Sequence, residues 1–214
     1  MNNNFHPVHD CNAGVMNTAS GKVVDFNSPT ADMITIKDIG NSLSKICRFG
    51  GHVNQFYSVA QHSILVSFLM REGEGKFGLE ALLHDASEAY LGDVVKPLKV
   101  ILGDSYKLLE HRFENVIAEK YSLFMSPVAE KLIKKYDLQA LELEHEAFQK
   151  NNQVPLLMTL DRLGLYTGHL SWEANEARLK FLACFAECMD IREGRVTDGY
   201  VSYIRTSDLF EKVG

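Results

Sequence analysis

The stretch Glu80-ALLHDASEAYLGD, residues 80 to 93, sets four titratable side chains, His84, Asp85, Glu88 and Asp93, beside the apolar Leu82 and Leu83. Its apolar spacing predicts a helix from near Phe77 to Leu91, closed by Gly92, where glycine takes a left-handed backbone at no steric cost. On that helix His84 and Glu88 stand four residues apart and Asp85 and Glu88 three, so all three share one side of two turns. One imidazole and two carboxylates against an apolar stripe repel one another and shed charge unless a cation sits among them. A metal is the economical reading.

Two ligands underdetermine a metal, so others are sought on neighbouring helices. In YSVAQHSILVSFLM, Ser58 and Gln61 have capping-box spacing, which starts a helix at Val59. Its His62 is flanked by Val59 and Val66 and faces inward. A later segment, SPVAEKLIKKYDLQALELEHEAFQ, has Ser126 as cap and Pro127 in the first turn, and sets Asp137 between Ile133 and Leu141 on the core-facing stripe. Asp161, in TLDRLG, is a competing carboxylate. Two imidazoles and two carboxylates suit one divalent transition metal (Mn, Co, Ni, Fe or Zn) better than Ca or Mg.

The rest of the chain frames this centre. Residues 1–35 are rich in Asn, Gly, Ser and Thr, and ASGK between VMNT and VVDF reads as a hairpin turn. Residues 36–214 read as one helical domain. IKDIGNSLSKICRF forms a helix with Ile39, Leu43 and Ile46 inward, ended by the FGGH loop. SYKLLEHRFENVIAEKY packs Leu109, Phe113, Val116 and Ile117 on one face, and SWEANEARLKFLACFAECMDI closes the core behind a Ser171 cap. The expected fold class is therefore all-α, a helical bundle with a small irregular β annex at the N-terminus.

Bulk composition excludes several functions. A net charge of −6 argues against binding a nucleic-acid polymer, and the longest apolar runs, such as ILVSFLM, are too short to cross a bilayer. The N-terminus lacks a signal peptide's basic start and apolar stretch, so a cytoplasmic location is expected. Cys11, Cys47, Cys184 and Cys188 form no CxxC pair and read as reduced, mostly buried thiols. His9-Asp10 is a second His-Asp pair, but with no helix behind it, and it carries no expected role.

The series His62, His84-Asp85, Asp137 resembles the H…HD…D signature of the HD-domain phosphohydrolase superfamily. HDASE followed by Gly92-Asp93 is similar to the catalytic helix of bacterial 5′-deoxynucleotidases, and DIGNSLSKICRFGGHVNQFYSVAQHS resembles compact HD phosphohydrolases of bacteria and phages. The similarity spans about residues 36–150. It implies an HD-domain bundle holding one metal through His62, His84, Asp85 and Asp137; YDLQALELEHEA resembles the family's closing segment, which favours Asp137 over Asp161. It also implies that Glu88 moves a proton, that Asp93 aligns the attacking water, and that Arg48 grips the phosphate. Phe49 stands where those enzymes carry Trp against the sugar, a departure that puts strict deoxyribose preference in doubt. His52, Lys96 and Lys99 are further candidate substrate contacts.

The implied activity is release of phosphate from deoxynucleoside monophosphates by a 5′-deoxynucleotidase. The alternative is a deoxynucleoside triphosphate triphosphohydrolase releasing tripolyphosphate. A cyclic nucleotide phosphodiesterase lacks a second histidine set here, and a nucleotide-binding regulator without turnover would have lost a ligand or Glu88. The expected partners are a small-molecule nucleotide and further copies of the chain, as a dimer or larger homo-oligomer, with the face of KFLACFAECM as a candidate contact.

Overall fold

Apolar side chains surround residues 59–70 on every side, and a helix of that kind must lie in the middle of a bundle. The computed structural model describes residues 14–195 and places this helix, here α2 (Val59–Glu74), at the centre, with residues from Val59 to Met70 buried almost without interruption. Its N-terminus is set by Ser58, whose hydroxyl accepts from the Gln61 amide at 3.1 Å. The reciprocal half of the capping box does not form. Gln61 instead donates to the Leu170 carbonyl and accepts from the Trp172 amide, pinning the approach to the last helix against α2.

The annex is a hairpin of β1 (Val15–Asn17) and β2 (Val23–Asp25), antiparallel with Met16 opposite Val24. Asp38 ties it to α1 (Ile36–Leu43). Its buried carboxylate accepts from the hydroxyls of Thr18 and Thr35 and from the Ser20 amide, while Thr35 caps α1. Val24 joins the same apolar core as the helices.

Helix α1 stops at Leu43, earlier than its periodicity suggests. The chain beyond it is drawn into backbone pairing with the residues before α2: the Arg48 amide donates to Tyr57 at 2.9 Å and the Val59 amide to Ile46 at 3.0 Å, around a bridge between Cys47 and Ser58. Residues 48–51 then form a short 3-10 turn.

The expected helix through residues 77–91 is also corrected, because it is two short helices, α3 (Gly78–Leu82) and α4 (Glu88–Leu91), joined by a turn. After them come α5 (Lys96–Leu102), α6 (Asp104–Tyr121), α7 (Pro127–Phe148), α8 (Val154–Arg162) and α9 (Ala174–Arg192). Ser126 caps α7 as its sequence suggests, through a 3.1 Å bond from the Ala129 amide. Ser171 does not cap α9. That helix starts after Glu173, since residues 170–172 are held by Gln61.

Around α2 pack α1, α3, α7 and α9, with Phe113 of α6 sealing one side against Tyr90 and Phe26 at ring distances of 5.1 and 5.4 Å. Much of the KFLACFAECM face belongs to this core: Phe181, Leu182, Cys184 and Cys188 are buried. No helix among the described residues is long and apolar enough to cross a membrane. His9, Asp10 and Cys11 lie outside the described residues.

Candidate metal centre

The break between α3 and α4 decides how His84 points. In a continuous helix the Ala81 carbonyl would accept the amide of residue 85. Here it accepts instead from Nδ1 of His84 at 2.8 Å, and residues 83–91 close through tighter turns such as Ala86 to Leu83 and Glu88 to Asp85. With Nδ1 committed as donor, Nε2 of His84 is the free lone pair.

His62 is tied at the same ring nitrogen by another route. Wholly buried on α2, it donates from Nδ1 to Oε1 of Glu144 on α7 at 2.8 Å and turns Nε2 toward His84, 3.4 Å away. Hydrogen bonding at the far ring nitrogen, to a carboxylate for one histidine and a carbonyl for the other, is the pattern that fixes metal-ligating imidazoles.

Two carboxylates meet these nitrogens. Oδ2 of Asp85 lies 3.2 Å from Nε2 of His84 and 3.5 Å from Nε2 of His62. Oδ1 of Asp137, from α7, lies 3.4 Å from His62 and 3.9 Å from His84. Ligand bonds of about 2.0–2.2 Å put neighbouring donors about 3.0–3.4 Å apart around one ion, so His62, His84 and Asp85, 3.2–3.5 Å from one another, fit a transition metal nearly as they stand, while Asp137, 3.9 Å from His84, must close in to join them. His62, His84 and Asp85 form the tighter set, their donors within 4.8 Å of one another. The other Asp137 oxygen is held by Lys134 at 2.6 Å. Asp161 is exposed on α8 and enters none of these contacts.

Electrostatics follow from the packing. Burial pushes the Asp85 carboxyl up, but His84, His62 and Arg48 outweigh it and hold the group well below the usual carboxylate range. Asp137 is likewise held low despite burial, by its bond to His62 and the neighbouring His84. Burial and Arg48 press His62 down, yet Glu144 and Asp137 prevail and raise its pKa to about 9.

Glu88 behaves in the opposite way. Buried at the start of α4, it is pushed well above the usual range by desolvation and by Asp85 and Asp93, and its Oε2 has no hydrogen-bond partner among the described residues. Lys99 of α5 stands 3.6 Å from its other oxygen and is also bound to Glu110 at 2.7 Å. Asp93 is half-buried just past α4, its carboxyl raised by burial. Gly92 before it has a left-handed φ of 80°, which glycine takes without strain.

Arg48 is buried at the opposite edge, where Nε donates to Oε2 of Glu144 at 2.9 Å and Nη1 lies 3.7 Å from Asp85. Its guanidinium sits over the Phe49 ring at 5.5 Å, within reach of a cation–π attraction. Phe49 itself has φ 59°. A left-handed backbone costs a non-glycine residue about 1–2 kcal/mol and is kept only where surroundings enforce it. His52 is exposed; its amide donates to the Phe49 carbonyl at 3.1 Å and its carbonyl accepts from Gln149 at 3.3 Å. Lys96 is exposed at the start of α5. The structure thus brings Arg48, Phe49, His62, His84, Asp85, Glu88, Asp93, Lys99 and Asp137 to one centre, and leaves His52 and Lys96 in solvent.

Sequence reading passed over Glu144, which joins His62 to Arg48. Its signal was present: it lies seven residues after Asp137, two turns along the same helix face, and is wholly buried. Beside the centre opens a cleft of about 530 Å³, floored by His84, Asp85 and Asp137 and walled by Leu83, Ile117 and Met125.

Comparison with known proteins gives relatives but no activity. No family model matches the chain. It is 47% identical over 127 residues to YfdR of Escherichia coli K12, covering 59% of the chain and 68% of that protein. It is 35% identical over 136 residues to RCAP_rcc00048 of Rhodobacter capsulatus, covering 59% and 69%. Both relatives are described as uncharacterized proteins.

Proposed function

The chain belongs to the protein family of Escherichia coli YfdR, and from the centre it carries we propose that it is a metal-dependent phosphohydrolase of the HD-domain type acting on nucleotides, in first place a 5′-deoxynucleotidase. One observation carries this reading: four donors from α2, the 83–87 turn and α7 converge at 3.2–3.9 Å, and both imidazoles have the far nitrogen tied down.

A bound divalent transition metal supplies Lewis acidity and brings the pKa of water toward about 7, the two things phosphate-ester hydrolysis lacks at neutral pH. His62, His84, Asp85 and Asp137 would hold it. With a cation among the ligands offsetting Asp85 and Asp93, Glu88 would be ionised and its Oε2, which has no hydrogen-bond partner among the described residues, would take the proton of the attacking water and pass it to the leaving oxygen. Asp93 aligns that water. Arg48, with Nε fixed by Glu144, keeps its Nη groups for phosphoryl oxygens, where a guanidinium fork is well matched.

The cleft has the size usual for small-ligand sites and room for a nucleoside. The sparing supply of cations favours a monophosphate over a triphosphate. Lys99 is bound to Glu110 and Glu88, Arg48 to Glu144, Lys134 of the cleft to Asp137, and Lys96 stands apart. Free Cys47, Cys184 and Cys188 accord with a reducing, cytoplasmic setting. A homo-oligomer is part of the proposal, with the exposed Val100 and Ile101 of α5 offering an apolar contact.

The test is to strip the protein of metal, restore Mn, Co, Ni or Zn singly, and resolve the products from dAMP, AMP, dATP and dGTP by chromatography. Inorganic phosphate from dAMP is the expected result. Tripolyphosphate from dATP would move the reading to the triphosphohydrolase, and no turnover with any metal would end it.

A further inference from the structure

Glu144 is a carboxylate with no exposure at all, and its two oxygens are divided: Oε1 accepts from Nδ1 of His62 at 2.8 Å and Oε2 from Nε of Arg48 at 2.9 Å. One of these partners is a candidate metal ligand and the other the candidate phosphate grip. They come from α2 and from the loop before it, and the contacts join both to one residue of α7. We infer that Glu144 is a positioning residue which couples metal loading to phosphate binding, by fixing the His62 tautomer and the Arg48 fork through a single side chain. The inference rests on the roles proposed above for His62 and Arg48.

The reasoning turns on what a carboxylate alone does. Both partners are donors, and an ionised carboxylate is acceptor-only, so it satisfies both at once. An amide of the same shape offers one acceptor oxygen and one NH2. In Glu144→Gln, therefore, either His62 or Arg48 faces a second donor across a buried contact. If it is His62, the ring relaxes by moving its proton to Nε2, which removes the lone pair from the centre. If it is Arg48, the guanidinium swings away and its Nη groups leave the position from which they reach phosphate. Exchange between the two amide orientations makes both functions suffer, although no ligand and no grip has been changed.

The experiment uses the full chain, comparing wild type with Glu144→Gln. Mn2+ affinity is measured by calorimetry, inorganic phosphate binding on the Mn2+-saturated protein, and the histidine tautomers by long-range 1H–15N correlation with labelled histidine. Loss of a hydrogen-bonded partner behind a metal ligand typically costs about 10–100-fold in affinity, and that is the expected fall for Mn2+. Phosphate binding is expected to weaken about tenfold as the charge-assisted anchor of Arg48 goes. In the Zn2+-loaded, diamagnetic protein the wild type should show His62 as the Nδ1–H form, and the variant a mixture. Unchanged Mn2+ affinity, or weaker Mn2+ binding with unchanged phosphate binding, would overturn the coupling. Should the variant fail to fold, the wild-type spectrum still decides: a His62 carrying its proton on Nε2 in the Zn2+-loaded protein excludes the assignment. Neither binding measurement depends on turnover, so a chain that couples the two ligands yet hydrolyses no nucleotide would sink the proposed activity and spare this inference.

Discussion

Metal binding should depend steeply on pH, and His62 sets the amount. Its pKa is raised from 6.5 to about 9 because Glu144 and Asp137 outweigh burial and Arg48, and a protonated imidazole cannot ligate. An incoming ion must therefore displace this proton at any pH below about 9. The competing factor is about 1,000 at pH 6 and about 10 at pH 8, so Mn2+ affinity should rise about 100-fold between them, or about 2.7 kcal/mol. Without metal the sign reverses. A folded pKa above the unfolded value contributes stability that is complete below about pH 6.5 and is lost as pH rises through about 9, here on the order of 3 kcal/mol. Calorimetric Mn2+ titrations at pH 6, 7 and 8, in buffers of different ionisation heat, count the protons released. Thermal melts with chelator and with Mn2+ follow the two stability curves. Flat affinity across this range with no proton released would refute the account of His62.

Three other outcomes are expected. Glu88→Gln should keep Mn2+ affinity within about threefold and lose about 10²–10⁴-fold in hydrolysis, the usual worth of a general acid–base group; preserved turnover would remove Glu88 from the chemistry. Asp137→Asn should weaken Mn2+ binding by at least about tenfold while Asp161→Asn, on the exposed side of α8, leaves it unchanged, and the opposite ranking would exchange the fourth ligand. Phe113→Ala, which empties the space between Phe26 and Tyr90, should destabilise the chain by about 3–5 kcal/mol in urea unfolding; a loss below about 1 kcal/mol would show that this side of the core can collapse.

What could be read from the letters was local chemistry. Ser58 and the Ser126-Pro127 pair start their helices wherever the rest of the chain goes, because the caps satisfy amides within three residues. The inward faces of His62 and Asp137 follow from the same short spacings. Competition between distant groups was not legible. Residues 79–90 keep helical apolar spacing throughout, yet the helix breaks, since a side chain two turns from its start takes a main-chain acceptor. Ser171 looks like a cap until Gln61, more than a hundred residues away, claims its neighbours. Helix α5 has no buried residue although Leu98, Ile101 and Leu102 are spaced as an apolar stripe, so its exposure could not be read from its letters. Glu144 shared the Asp137 face by its spacing, but its partners His62 and Arg48 could be known only once α7 lay along α2.

The turn at residues 83–87 gives the two histidines unequal exposure to mutation. His84 is oriented by the Ala81 carbonyl, an acceptor that every residue type supplies, so no substitution at position 81 deletes that contact by removing a side chain. His62 is oriented by Glu144, which any change of residue type alters. In the proposed metal centre, ligand basicity, and with it the choice among divalent ions, is therefore open to change through position 144 and not in the same way through position 81.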